Sequence, residues 1–222
     1  MRSGLALVIA IGAVALTGTA QAQTPAGLGT SEPSRGYVEA VAQSAFGNVT
    51  SQSYGGEIGI TIAYGVQLFV EAGRTRDVAT TVTQAAAQQI LSGLPPTLPG
   101  VVSHVKQPVT FGVAGIKVVP TDGAVQPYVM GGFGIARVKQ EVSFTVNGSD
   151  VTANLPQAPY YVTLGPDLTG SITKPMLTLG GGVTWAALQH FALDFQFRYG
   201  RIFAEDQGIN VTRAGLGVGV RF

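Results

Sequence analysis

The sequence predicts an all-β fold, an eight-stranded antiparallel transmembrane β-barrel. Three observations carry this. From Gly36 onward the apolar residues alternate with period two, the period of a strand rather than a helix, and the alternation breaks into eight pieces. Only 11% of residues are charged while 45% are hydrophobic. An ordinary soluble domain carries about 25% charged residues. After the N-terminal segment there is no apolar run of roughly 18 residues or more, so a membrane-spanning helix is not expected. In hydrocarbon every backbone N–H and C=O needs an internal partner, and a closed sheet is the remaining way to supply it.

The N-terminal segment reads as an export signal. Arg2 is the positive n-region, the run from Leu5 to Leu16 is apolar, and Ala20-Gln21-Ala22 is the small-x-small pattern of a cleavage site. The expected organisation is a signal peptide at 1–22, a flexible Pro/Gly/Ser/Thr lead at 23–35 and a barrel domain at 36–222. Loss of Arg2 leaves basic and acidic residues equal in number. No basic patch suggests nucleic acid as a partner. The chain has no cysteine, which excludes disulfides and thiolate metal sites. No metal or other cofactor is expected.

The strands are read at 36–47, 53–64, 66–76, 107–119, 125–142, 174–186, 190–203 and 209–222. In the first, Val38, Ala40 and Ala42 oppose Tyr37, Glu39 and Gln43. In the second, Ile58, Ile60, Ile62 and Tyr64 oppose Glu57, Gly59 and Thr61. In the third, Val66, Leu68, Val70 and Ala72 oppose Gln67, Phe69, Glu71 and Gly73. The fourth is apolar on both faces and ambiguous in phase, with Lys117 favouring Ile116 and Val118 towards lipid. In the fifth, Tyr128, Met130, Ala136 and Val138 are assigned to lipid against Phe133, Arg137 and Lys139 in the lumen. The sixth sets Leu177, Leu179, Val183 and Trp185 against Thr178, Gly180 and Thr184. The seventh places Phe191, Leu193, Phe195, Phe197 and Tyr199 on one side, against Ala192, Asp194, Gln196 and Arg198. The eighth alternates Thr212, Ala214, Leu216, Val218, Val220 and Phe222 with Arg213, Gly215, Gly217, Gly219 and Arg221.

The connections alternate in length. Those at 63–66, 120–124 and 187–189 are tight, whereas 77–106 and 147–173 are long. Short turns on one side and long loops on the other are the asymmetry of a transmembrane barrel, with the turns periplasmic. Residues 80–91 are helix formers and permit a short helix, ended by Pro95, Pro96 and Pro99. The second long loop is polar and contains Tyr160 and Tyr161.

A soluble barrel has the same period with its apolar face inward. Its polar face is then rich in Lys, Glu, Asp and Arg. Here that face is mostly Gly, Ala, Thr and Gln, which fits a crowded lumen. Three stretches carry a family resemblance. They are Gly215 to Phe222, an alternating strand ending in phenylalanine; Gln126 to Gly134, with its Pro-Tyr-Val start; and Phe195 to Arg201. With them the chain resembles the small OmpA/OmpX-like outer-membrane β-barrels over about residues 36–222. The resemblance implies export to the bacterial outer membrane, partners in outer-membrane lipid and lipopolysaccharide, and recognition of the Phe222 end by the barrel assembly machinery. It implies no particular activity.

The expected lumen charges are Glu39, Glu57, Glu71, Arg137, Asp194, Arg198, Arg213 and Arg221. They form either a structural ion-pair network that plugs the interior or the lining of a narrow ion-selecting pore. The interior of an eight-stranded barrel is just wide enough for side chains to fill, which favours the plug. Tyr64, Tyr128, Trp185, Tyr199 and Phe222 are the expected interfacial girdle. A lipid-modifying enzyme needs a nucleophile and base within reach. His190 falls beside a turn, and Ser103 and His104 are neighbours on an extended chain, whose side chains point apart. The expectation is a non-catalytic structural or loop-binding surface protein, with a narrow channel as the alternative and an enzyme third.

Overall fold

The computed structural model describes residues 35–93, 101–146, 149–157, 170–204 and 208–222. The expected signal peptide, nearly all of the lead, the three prolines after residue 94 and the pair Tyr160-Tyr161 lie outside the described residues.

Eight strands close into one antiparallel ring. In chain order they are β1 (Gly36–Phe46), β2 (Ser51–Ala63), β3 (Val66–Thr75), β5 (Val109–Val118), β6 (Val125–Lys139), β9 (Ser171–Ala186), β10 (Phe191–Ile202) and β11 (Ile209–Arg221). Each pairs with its neighbours in sequence among these eight, and β1 pairs with β11. The seam is finished by a reciprocal backbone pair, Gly36 N–H to Phe222 O at 2.9 Å and Phe222 N–H to Gly36 O at 3.0 Å. Closure leaves no strand edge of the ring unpaired, which is what a spanning sheet requires. Tight turns gather at one end and the long connections at the other.

The alternation sets the faces of six strands as read from the sequence. Val38, Ile58, Val70, Ile116, Leu179, Phe195 and Val218 are all exposed on the outer wall. Lys117 is buried inside, which resolves β5 with Ile116 and Val118 outward. Strand β6 runs opposite to the expectation. Tyr128, Met130, Ala136 and Val138 face inward and are buried, while Phe133, Ile135 and Arg137 face outward. Both faces of β6 are apolar over most of its length, so alternation does not orient it. Arg137 and Lys139 misled because they lie near the loop end, where an outward charge meets no hydrocarbon.

The long connections hold α1 (Thr81–Gly93), where the sequence permits a short helix, and also β4 (Val101–Lys106), β7 (Glu141–Val146) and β8 (Ser149–Asp150). These three strands differ from the sequence expectation, which leaves 101–106 and 143–150 in the connections. Strand β4 pairs with β7 from Lys106–Glu141 upward, in the same register as Val109–Val138 below it. The β5–β6 ladder therefore runs on past the rim as a ribbon, extended by about 20 Å for six residues. Helix α1 starts at Thr80, whose Oγ1 accepts from the Thr83 N–H at 3.3 Å, an N-cap. Gln107 ties that start to the rim: its Oε1 accepts from Thr80 N–H at 2.8 Å and its Nε2 donates to Thr83 Oγ1 at 2.8 Å. A second small core of Ala87, Val142, Phe144 and Leu155 forms between these pieces. We call this assembly the cap.

Two predictions follow from the packing. Phe144 is fully buried in the cap core. Phe144→Ala should cost about 3–5 kcal/mol of cap stability. Limited proteolysis should then cut the cap while the barrel stays resistant. At Gly134 a Cβ would run into the backbone carbonyl of Gly112 on β5, which cannot turn aside. Gly134→Ala should destabilise the barrel by about 1–3 kcal/mol, read as a lower urea midpoint.

Candidate functional site

The interior divides into two halves. Towards the loop end it is apolar, with Val109, Phe111, Val138, Met176, Ile202 and Val211 packed together. Towards the turn end it is charged.

The charged half is organised by register. Glu57 on β2 lies directly opposite Glu39 on β1 and Glu71 on β3. Arg198 on β10 lies directly opposite Arg213 on β11. Like charges side by side on neighbouring strands are destabilising. The two sets resolve this by meeting across the lumen. One Arg198 nitrogen, Nη2, lies 2.7 Å from Glu57 Oε2, and the other, Nη1, lies 2.7 Å from Glu71 Oε2. These contacts are ion pairs rather than well-aligned hydrogen bonds. Arg213 Nη1 donates to Glu71 Oε1 at 2.9 Å, and its guanidinium lies over the Phe111 ring at 4.3 Å. Arg198 is 0% exposed and Arg213 1%. A planar fork with fixed charge suits this bridging of two carboxylates, which an ammonium cannot reproduce.

A polar network continues towards the turns. Lys117 Nζ sits between the rings of Tyr37 and Tyr128, 4.6 and 4.0 Å from their centres, and 3.4 Å from Glu57 Oε1. Tyr37 donates its hydroxyl to Glu57. Asp194 accepts from Tyr128 Oη at 2.7 Å, Thr184 Oγ1 at 3.2 Å and Gln196 Nε2 at 3.3 Å. Gln196 Nε2 also donates to Glu39 Oε1 at 2.7 Å, and Gln43 Nε2 donates to Gln196 Oε1 at 2.9 Å. The turn-end cavity, lined by Tyr37, Glu39, Lys117 and Arg221, is about 20 Å³, room for about one water.

Of the residues expected in the lumen, Glu39, Glu57, Glu71, Asp194, Arg198 and Arg213 come together there. Arg221 is half-buried and lines the turn-end cavity. Arg137 does not join them: it is exposed on the outer wall, where Nη2 donates to Ser171 Oγ at 3.1 Å. Tyr128, expected at a membrane interface, is 4% exposed and belongs to the network. Both displacements have one cause, the inverted phase of β6. Tyr64, Trp185 and Phe222 are exposed near the turn end. Tyr199 faces outward nearer the loops and donates its hydroxyl to Asn210 Oδ1 at 2.9 Å. Tyr37, Lys117, Gln43, Thr184 and Gln196 complete the site. They were legible as inward positions, but nothing local marks an inward tyrosine or glutamine as a network member.

Comparisons with known proteins agree with this architecture. Residues 3–222 match the family described as outer membrane protein beta-barrel domain. Among solved structures, Neisserial surface protein A is 16% identical, with a TM-score of 0.51, covering 84% of this chain and 96% of that one. The attachment invasion locus protein Ail of Yersinia pestis is 15% identical with a TM-score of 0.46, covering 84% and 97%. The outer membrane enzyme PagL is 10% identical with a TM-score of 0.41, covering 84% and 99%. At these identities the likeness concerns the fold alone. No curated protein matches the chain. With its ring of eight strands and its match over nearly the whole sequence, the chain belongs to the outer-membrane protein β-barrel family.

Proposed function

We propose that this protein is a non-catalytic outer-membrane barrel with a plugged interior, and that its binding function resides in the cap. The observation that carries the reading is the filled lumen. Arg198 and Glu57 are buried at its centre, bridged to opposite walls, with a mainly apolar layer above them that also encloses the hydrogen-bonded pair Thr75–Ser53. An ion crossing this interior has to displace paired charges and then dehydrate against side chains such as Ile202 and Met176. The cap, in contrast, is a folded surface carried beyond the rim by β4 and β7, which keep the register of β5 and β6. Loops on a rigid scaffold are where binding usually resides.

Export to the outer membrane, with the turns in the periplasm and the cap outside, is part of this reading. Tyr64, Trp185 and Phe222 then anchor the inner interface, and Tyr199 the outer one. Among the described residues of the cap, no nucleophile meets a base: Ser103 and His104 alternate along β4, and the His104 side chain has no hydrogen-bond partner there. His190 is at the turn end, with Nδ1 3.2 Å from the carbonyl oxygen of Arg221.

The test is conductance of the refolded chain in a planar lipid bilayer. Inserted protein should be silent. Discrete steps that scale with ionic strength would instead make it a channel. Arg198→Ala combined with Arg213→Ala should lower stability and open leaks together. A change of ion preference at unchanged stability would overturn the plug. Glu71 holds both arginines, so Glu71→Ala should cost about 3–5 kcal/mol in denaturant unfolding.

A further inference from the structure

The outer wall changes character abruptly near the loop end. On β6 the exposed residues run Val129, Phe133, Ile135 and then Arg137 and Lys139. Register places Arg74 of β3 opposite Thr110 of β5, and Thr110 opposite Arg137. Arg74, Thr110 and Arg137 therefore form one polar row across three strands, all on the outward face. A groove of about 380 Å³ opens along this row, lined by Arg74, Thr110, Arg137, Lys139 and Ser171, with Pro108 and Gly170. No carboxylate lines it among the described residues. Lys139 is paired with Glu141 at 2.8 Å. Arg74 and Arg137 have no ion pair among the described residues.

We infer that this groove binds the anionic, phosphate-bearing headgroup of an outer-leaflet lipid, with Arg74 and Arg137 as its two clamps. The charge is complementary, and paired guanidinium forks match phosphate oxygens. Thr110 and Ser171 add hydroxyl donors at the same rim. The position argues for a lipid rather than free phosphate. One step towards the membrane centre from the cations lie Ala72 and Gly112, which pair with each other, and a Cβ built at Gly112 meets nothing within 4 Å. Beside them Ile135 and Phe133 stand out from the wall. The surface thus offers a cationic shelf above a shallow apolar furrow, the shape of a headgroup followed by an acyl chain. Cations at this depth also sit where the hydrocarbon gives way to headgroups. The inference rests on the proposed orientation, with the cap outside, and not on whether the lumen conducts.

Native mass spectrometry of the folded full chain in neutral detergent tests it, with phosphatidylglycerol as probe and phosphatidylcholine as reference. The wild type should hold phosphatidylglycerol more tightly. Arg74→Gln with Arg137→Gln should weaken it about thirtyfold, taking ~1 kcal/mol for each cation at an anionic surface. Arg201→Gln, a cation on the outer wall of β10 away from the groove, should change nothing. Equal binding of both lipids, an unaffected double variant, or equal loss in Arg201→Gln would overturn the site. Displacement of the lipid by millimolar inorganic phosphate would show a free-phosphate site and overturn the lipid. A second readout needs no variant: phosphatidylglycerol should shift the amide resonances of Gly112 and Ile135, and their silence would count against the groove.

Discussion

The structure depends on how Arg198 is held. Closing eight strands into a ring creates an interior just wide enough for side chains, and nothing inside it is far from a wall. Glutamates on adjacent strands β2 and β3, and arginines on adjacent strands β10 and β11, are each unfavourable neighbours by themselves. They are offset by meeting each other across the lumen, with Lys117 and Tyr37 adding to Glu57. Arg198 and Arg213 therefore tie the first strands of the barrel to the last, with Arg213 and Glu71 separated by 142 positions in sequence. A slip of one residue in any of these strands turns its charge out to lipid, so the network and the strand register enforce each other.

Around that centre the interior is graded. Towards the turns it is a hydrogen-bonded mesh in which Tyr37 and Tyr128 sandwich Lys117. Towards the loops it becomes an apolar core of ordinary kind, containing Phe111, Met176 and Ile202. The apolar layer continues the logic of the cap, whose own core begins where the β5–β6 ladder leaves the ring. Gln107, bonded to Asp77, Thr80 and Thr83, fastens the two parts at the rim.

The outer wall is read by the same physics with the sign reversed. Where hydrocarbon faces the sheet, the exposed residues are Val, Ile, Leu and Phe. Where it ends, Arg74, Arg137 and Lys139 appear on the same face without a change of register. A charge on a strand therefore reports its face only within the hydrocarbon. Beyond it, a charge reports depth.

The sequence by itself determined eight ring strands in antiparallel order, their approximate positions and the inward face of six of them, with Lys117 tipping a seventh, β5, whose two faces are both apolar. These follow from a period of two and from turn length, both local properties. It also placed six of the eight expected lumen charges inside, because Glu39, Glu57, Glu71, Asp194, Arg198 and Arg213 each oppose an apolar face on their own strand. Only the tertiary structure oriented β6, since both its faces are apolar and its phase is set by pairing with β5 and β9. That pairing moved Tyr128 into the network and Arg137 onto the wall. Helix α1 was legible from its helix formers, but the cap strands were not: β4 and β7 lie in long connections and pair in the register that the β5–β6 ladder sets. Which charge meets which is likewise a property of closure, because the partners stand on opposite walls and no local pattern records the distance between them.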